Sequence, residues 1–347
     1  MAPSRTWPSR EGFTADVLAR LISRTLLDPW KILPLFALSQ YTAKGQDLAT
    51  SHPKLLKALR QLAALALLTR LSSWLTRRTL NNNLSDPYDW NHEIVVLTGG
   101  SNGIGQQIAT LLSTHGIKVA ILDISPPETP STPTTTTTRF YKCDITSPTE
   151  IAHAASQIRS SLGTPTILIN NAGICTGHTI LSSTADQTRR IFDVNALSHY
   201  ALAREFLPDM VSANHGMVVT VASQAGYTVT PSMVDYSASK AAAIAFHEGL
   251  AAELVTRYAA PRVRTVLVTQ GFTRTGFIRG LTPEDTWVNP LLEAESVAEG
   301  IVGQVLKGES GVVVLPGVAG WVAVRLRGWP GWFGHLLRCR LERLMRS

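Results

Sequence analysis

The sequence IVVLTGGSNGIG, at residues 94–105, begins with four apolar residues and ends in a run of glycines. Its start predicts a buried β-strand, and the apolar spacing of Gln106–Ser113 predicts a helix directly after it. Glycines between a strand and a helix let the backbone turn sharply and approach a pyrophosphate, which then lies at the positive end of the helix. Glycine also occurs in ordinary turns, but this placement favours a dinucleotide site.

Short apolar runs continue along the chain from residue 94 and alternate with segments of helix length. These runs are Ile94–Leu97, Val119–Leu122, Ile167–Ile169, Met217–Val221 and Val263–Val268, with Gly311–Leu315 as the expected last strand. Continuous apolar strands separated by helices are typical of a parallel sheet that is covered on both faces. The sequence therefore predicts an α/β fold, a doubly wound parallel sheet of the Rossmann type, in one domain at residues 93–315.

An acidic residue, Asp123, ends the second predicted strand 18 residues after Gly105. A carboxylate at this point can accept hydrogen bonds from the ribose hydroxyls of NAD and repels the 2′-phosphate of NADP. No Lys or Arg occurs at residues 100–102 to balance such a phosphate. NAD is therefore favoured and NADP remains possible. The alternative is an ordinary solvated aspartate at a strand end.

The segment YSASK, at residues 236–240, separates a tyrosine from a lysine by one helical turn. A tyrosine with a pKa near 10 is a poor base at neutral pH, and a nearby ammonium favours its phenolate form. Ser223 precedes Tyr236 by 13 residues. Alone, a Tyr-x-x-x-Lys pattern is usually an ordinary helix face and a single serine is usually a turn residue. Together with the glycine-rich turn they indicate general acid–base chemistry.

In this order, the motifs resemble the short-chain dehydrogenase/reductase family over residues 93–315. The matching segments are Thr98-Gly-x-x-x-Gly-Ile-Gly105, Asp144, Asn170-Asn-Ala-Gly173, Asn195, Ser223 and Tyr236-x-x-x-Lys240. Two further segments, residues 122–124 and 219–226, look most like those of the membrane-associated retinol and steroid dehydrogenases. Where the family usually has Pro-Gly after the sixth strand, this chain has Gln270-Gly271.

The resemblance implies a nicotinamide-dependent enzyme that oxidises an alcohol or reduces a carbonyl. It assigns catalysis to Asn195, Ser223, Tyr236 and Lys240. Ser223 would bind the substrate oxygen, Lys240 the nicotinamide ribose, and Asn195 a water in a proton relay to Lys240. The expected cofactor-binding residues are Thr98, Gly99, Ser101, Gly103, Ile104, Gly105, Asp123, Asp144, Asn171, Ala172, Gly173, Tyr236, Lys240 and Thr275.

The substrate is less clearly indicated than the reaction. The loop at residues 272–292 contains Phe277, Ile278, Leu281 and Trp287. These apolar side chains suit a small lipophilic alcohol or ketone as substrate. The alternative is that they only pack the loop against the core. Two alternatives to an NAD-dependent dehydrogenase stay open: an NADPH-dependent ketoreductase of specialised metabolism, and a nucleotide-binding scaffold without catalysis. The full set of catalytic residues argues against the scaffold.

Extensions of the chain at both ends are basic and partly apolar. Residues 1–92 hold 12 Lys/Arg and 6 Asp/Glu, and residues 301–347 hold 7 and 2. Leucines recur with helical spacing at residues 55–65, and tryptophans alternate with arginines at residues 316–347. These patterns predict helical extensions, at 1–92 and 316–347, that lie on a membrane surface. An extra packed helix and a homodimer interface are the alternatives.

The rest of the sequence indicates where the protein is located and which partners are not expected. Neither apolar stretch of residues 1–92 reaches the roughly 20 residues of a spanning helix, and no secretory signal is apparent. We therefore expect association with a cytosol-facing membrane, such as the endoplasmic reticulum or a lipid droplet. The basic residues lack a nucleic-acid-binding motif, so no nucleic acid partner is expected. Three dispersed cysteines predict neither a metal site nor disulfides.

Overall fold

The computed structural model describes residues 10–127, 137–276 and 287–341. Its strands are β1 (Ile94–Thr98), β2 (Lys118–Asp123), β3 (Thr138–Lys142), β4 (Ile167–Asn170), β5 (Met217–Val221), β6 (Arg264–Gln270), β7 (Thr273–Arg274), β8 (Leu292–Glu293) and β9 (Gly311–Leu315). Its helices are α1 (Ala15–Arg24), α2 (Pro29–Tyr41), α3 (Ala43–Ser51), α4 (Pro53–Leu80), α5 (Gly103–Thr114), α6 (Pro148–Ser161), α7 (Ala185–Phe192), α8 (Ser198–Ala213), α9 (Ala225–Thr228), α10 (Val234–Thr256), α11 (Ala294–Val305), α12 (Gly317–Arg325) and α13 (Gly331–Leu341).

Seven parallel strands form one sheet in the order β3-β2-β1-β4-β5-β6-β9. The central strands β1, β4 and β5 are buried along their whole length, as their continuous apolar sequences require. The predicted doubly wound parallel sheet is confirmed. Strand order reverses between β1 and β4, and a crevice is expected at the carboxyl ends of the strands at that point.

Helices cover both faces of the sheet. On one face, Ile108 of α5 and Ile301 of α11 pack with apolar side chains of the central strands. On the other face, Ile158 of α6, Phe206 of α8 and Leu250 of α10 fill a second core. Both cores exclude water from the sheet, so the site residues at the strand ends rest on a rigid base.

Helical extensions are present in the chain before the first strand and after the last one, as predicted. The end of α4 is attached to the start of β9, because the Asn81 side chain accepts from Ser310 N at 2.8 Å and donates to Ser310 O at 3.3 Å. The buried guanidinium of Arg264 donates to Asn81 O at 3.1 Å and to Leu84 O at 2.8 Å. Among the described helices, none combines the length and the apolar character needed to cross a bilayer.

Candidate active site

A cavity of about 960 Å³ opens at the carboxyl edge of the sheet. The glycine-rich turn and the ends of β2 and β4 line one part of it, and the ends of β5 and β6 with the start of α10 line another. The C-terminal helices α12 and α13 complete the wall. Such a volume lies at the upper end of the range usual for ligand sites.

The glycine-rich turn needs its glycines for two separate reasons. Gly99 and Gly103 have φ values of +66° and +56°, in the left-handed region that side chains disfavour. At Gly105, a Cβ would lie 2.0 Å from the carbonyl oxygen of Gly99. Only glycine permits this contact between the helix start and the turn. The N-terminal end of α5 is thereby held against the cavity, and it can bind an anionic group there.

A network of hydrogen bonds fixes this turn to the neighbouring strand end. Thr98 Oγ1 accepts from Asn171 N and Ala172 N, each at 3.0 Å. Asn171 Nδ2 donates to Thr98 O at 3.0 Å and to Gly99 O at 3.1 Å. Asn171, Ala172 and Gly173 line the cavity, whereas Thr98 is buried behind them and supports the turn from below.

Asp123 reaches the same turn from the end of β2. Its carboxylate accepts from Ser101 N at 3.1 Å and from Ser125 N at 3.4 Å, and it also lines the cavity. Each oxygen keeps capacity for a further donor. Ser101 is only 1% exposed, and its hydroxyl donates to Ser125 O at 2.6 Å. Its exposed neighbour Asn102 is the residue of this pair that lines the cavity.

Tyr236 and Lys240 occupy successive turns of α10 and are both buried at the cavity. The ammonium of Lys240 donates to Val221 O at 2.9 Å and lies 5.8 Å from the Tyr236 ring centroid. Ser223 follows β5, and its hydroxyl donates to Gln270 O at 3.3 Å. A hydrogen bond joins the side chains of Ser223 and Tyr236. The three side chains therefore lie close together at the cavity wall.

Burial shifts the pKa of both titratable groups. It raises the pKa of the Tyr236 phenol well above its usual range, and the hydrogen bond with Ser223 opposes this shift. It lowers the pKa of Lys240 to about 8. At neutral pH the phenol is therefore protonated, and most Lys240 side chains still carry a charge. Burial thus favours the protonated phenol, whereas the sequence pattern favours the phenolate.

Comparison with known proteins places this geometry in a family. A sequence model described as short chain dehydrogenase matches residues 93–286, which is more than half of the chain. The chain belongs to the short-chain dehydrogenase family. It is therefore an oxidoreductase of the dehydrogenase type, as predicted from the motifs.

Several named proteins and solved structures are similar to this chain over much of its length. Dehydrogenase RED2 of Cochliobolus heterostrophus is 48% identical over 202 residues, covering 58% of this chain and 76% of that protein. Rat estradiol 17-beta-dehydrogenase 11 is 32% identical over 255 residues, covering 72% and 84%. A short-chain dehydrogenase from Burkholderia cenocepacia in complex with NADP is 27% identical and has a TM-score of 0.60, with 73% and 99% covered. A Burkholderia phymatum relative in complex with NAD has the same TM-score at 22% identity.

Asn195 lies in a π-helical turn at Asp193–Leu197, between α7 and α8. Such insertions are frequent at functional sites because they rotate a side chain out of the helical register. Asn195 Oδ1 accepts from Ile174 N at 2.8 Å, and its Nδ2 donates to Ile174 O and to Ser239 Oγ. A Cβ on Gly173 would lie 3.3 Å from Asn195 Oδ1 and 3.4 Å from Lys240 Nζ. Asn195 thus lies behind the described cavity wall, next to Lys240.

The remaining predicted residues differ in how directly they face the cavity. Asp144 and Thr275 both line it, and the Thr275 side chain lies opposite Gly103. Gln270, at the family's usual proline position, also lines it. Its carbonyl accepts from Ser223 Oγ and Gln224 N. Of the predicted loop residues, Phe277, Ile278 and Leu281 lie outside the described residues.

The contribution of the C-terminal helices to this cavity was not predicted from the sequence. Ala319, Val322 and Ala323 of α12 and Leu337 of α13 line it. The tryptophans and arginines of this segment predict contact with a membrane surface and give no indication of a cavity wall. No local pattern in the sequence shows which face of α12 turns towards a cavity that is built by distant segments.

Proposed function

We propose that this chain is an NAD(P)-dependent oxidoreductase that interconverts a lipophilic primary or secondary alcohol and its aldehyde or ketone. The observation that carries the proposal is the convergence of Ser223, Tyr236 and Lys240 on a cavity that also contains the glycine-rich turn. A dinucleotide fits this cavity because the N-terminal end of α5 and the Asp123 carboxylate both face it. The direct test is turnover of lipophilic alcohols and ketones with each cofactor.

The chain's own residues would handle the proton and the developing charge. A bound nicotinamide would donate or accept the hydride. In reduction, the Tyr236 phenol would transfer its proton to the carbonyl oxygen while Ser223 donates a hydrogen bond to the same oxygen. In oxidation, the substrate hydroxyl would pass its proton to Tyr236. Because burial disfavours the phenolate, the positive charge of Lys240 would be required to stabilise it in that direction.

NAD is the cofactor that Asp123 favours. Its carboxylate lines the cavity beside the turn, so a ribose 2′-phosphate would meet a like charge there. Asn102, the exposed residue of the turn, supplies no compensating cation. An NADPH-dependent ketoreductase remains the second candidate because solved family structures carry either NAD or NADP.

A lipophilic substrate is supported by the lining of the cavity and by the relatives. Apolar side chains that line the cavity together with Tyr236 include Ile174, Met233, Phe272 and Val288. Relatives that are about a third identical to this chain over the matched residues are named as estradiol and retinol dehydrogenases. Apolar lining beside the polar groups of Ser223 and Tyr236 is suited to an alcohol whose hydroxyl is its main polar group.

We further propose that the extensions lie on a cytosol-facing membrane, either endoplasmic reticulum or lipid droplet. On α4, Leu67, Leu71 and Trp74 share one helix face by their spacing, and each is about half exposed. Arg78 lies over the Trp74 ring at 5.3 Å. Apolar side chains next to cations suit an interface with anionic headgroups. A homodimer that covers the same face is the alternative.

A liposome flotation assay tests the membrane proposal. We expect the full chain to float with anionic liposomes, and high salt to weaken but not abolish binding, because the apolar contribution is not screened. Replacing Leu71 and Trp74 by Glu should remove most of the binding. Leu181→Glu, at a residue 98% exposed on the catalytic domain, is the matched control and should bind normally. If the wild-type chain does not float with the liposomes, the proposal is contradicted.

A further inference from the structure

The C-terminal helices form a distinct part of the cavity wall. Ala319, Val322 and Ala323 of α12 line the cavity, and their spacing places them on one face of the helix. Trp321 and Val324 of the same helix are 55% and 42% exposed. Helix α12 is therefore two-sided, with Ala319, Val322 and Ala323 towards the cavity and Trp321 and Val324 towards solvent. We name Ala319, Val322 and Ala323 the tail wall.

Two hydrogen bonds tie α12 to the N-terminal extension. Asp16 of α1 accepts from Gly317 N at 2.6 Å and from Val318 N at 2.8 Å. The carboxylate thus caps the first turn of α12, where free N–H groups and the helix dipole both favour a negative charge. Helix α1 is held in turn by the bond from Ala15 N to Trp287 O at 2.9 Å and by the ion pair of Arg10 with Glu299 at 2.7 Å.

Three further hydrogen bonds tie the same segment to residues that follow Ser223 in the chain. Gln224, which directly follows Ser223, donates from Nε2 to Leu315 O at 3.0 Å and to Pro316 O at 3.1 Å. Arg327, after α12, donates to Gly226 O at 2.8 Å. The tail wall is therefore fixed relative to Ser223, so a substrate whose oxygen binds at Ser223 meets the wall at a set distance.

We infer that the tail wall binds the apolar body of the substrate, and that Asp16 is a positioning residue that holds this wall in place. The inference rests on the proposed alcohol dehydrogenase function and adds the part of the site that selects among alcohols. Small side chains on the wall leave room for a long or bulky apolar group, which gains affinity by burying its surface there. A short alcohol would not reach the wall. The N-terminal extension thus contributes to substrate choice through the Asp16 carboxylate.

Substitutions on the wall test the inference through substrate size. Ala319→Phe and Val322→Phe should lower kcat/KM for dodecanol at least tenfold while leaving that for butanol and the Kd for NAD within about twofold of wild type. A lost apolar contact of a few methylene groups accounts for an effect of this size. Val324→Phe, on the exposed face of the same helix, is the matched control and should keep the wild-type ratio. Equal effects on both alcohols, or the same effect from Val324→Phe, would overturn the inference.

Substitution of Asp16 tests the positioning role. Asp16→Ala should raise KM for dodecanol at least fivefold with little change in kcat, because the wall moves and the reacting groups do not. Asp16→Asn keeps one acceptor oxygen, so its KM for dodecanol should lie between those of Asp16→Ala and wild type. A proportional fall in kcat for both alcohols would show that Asp16 only stabilises the fold.

A binding measurement separates this inference from the proposed function. Calorimetry with NAD present can follow dodecanol binding to a Tyr236→Phe background, in which no turnover is needed. Val322→Phe in that background should weaken binding at least tenfold, and Val324→Phe should not. If the wild type turns over no alcohol but this binding pattern is found, the proposed reaction fails and the wall stands. If turnover occurs and Val322→Phe binds dodecanol normally, the wall fails and the reaction stands.

Discussion

Replacing Tyr236 by Phe is expected to lower kcat by about 10²- to 10⁴-fold, the range typical for loss of a general acid–base group. The phenol is buried at the cavity and hydrogen-bonded with Ser223, so its hydroxyl is the group placed to exchange a proton with the substrate oxygen. Phe keeps the ring and its packing. The Kd for the cofactor should therefore stay within about twofold of wild type, as measured by quenching of tryptophan fluorescence.

A second tyrosine provides the control for this substitution. Tyr227 is half-buried beside the apolar cluster of Ala222 and Ala243, and we place it outside the catalytic set. Tyr227→Phe should keep nearly full activity. A Tyr236→Phe variant with activity within about tenfold of wild type would remove Tyr236 from the mechanism, since a general acid–base residue contributes more than that.

Cofactor choice should change with the charge around Asp123. We expect Asp123→Ser combined with Asn102→Arg to shift the ratio of kcat/KM for NADP over NAD by about 10²-fold or more. The change removes a carboxylate that repels the 2′-phosphate and adds a guanidinium that can pair with it. Asn102 is the better position for the cation because it is exposed at the cavity, whereas Ser101 is 1% exposed and an arginine there would have to be buried.

The effect of charge at residue 123 can be separated from its structural contact. Asp123 also accepts from Ser101 N at 3.1 Å, so its loss could disturb the turn. Asp123→Asn keeps an acceptor oxygen. It should lower the ratio of kcat/KM for NAD over NADP without reversing the preference. A wild-type protein that already binds NADPH more tightly than NADH would show that Asp123 does not set cofactor choice.

The parts of the site that depend on local sequence were predictable. The strand and glycine-rich turn at residues 94–105 are continuous in sequence, and Tyr236 and Lys240 lie on one helix. The sequence spacing alone therefore predicts where these residues lie. Asp123 follows in the same way from the length of the β1-α5-β2 unit. In each case the covalent chain limits where the side chain can lie.

Contacts between distant segments were not predictable. Asp16 and Gly317 are 301 residues apart, and nothing in either neighbourhood indicates that one caps the other. The burial of Ser101 beside the exposed Asn102 depends on the backbone path of the turn rather than on residue type. The pKa of Tyr236 likewise depends mainly on burial by many segments, and not on Lys240 as the spacing suggests.

Transfer of deuterium from substrate to cofactor is a direct test of the proposed reaction. The full chain in detergent would be incubated with NAD or NADP and a panel of lipophilic alcohols deuterated at the carbinol carbon, and the reduced cofactor would be analysed by mass spectrometry. The proposed function predicts that deuterium moves from at least one alcohol to the nicotinamide, and that Tyr236→Phe abolishes the transfer. Cofactor binding without transfer from any alcohol, or transfer that is undiminished in Tyr236→Phe, would contradict it.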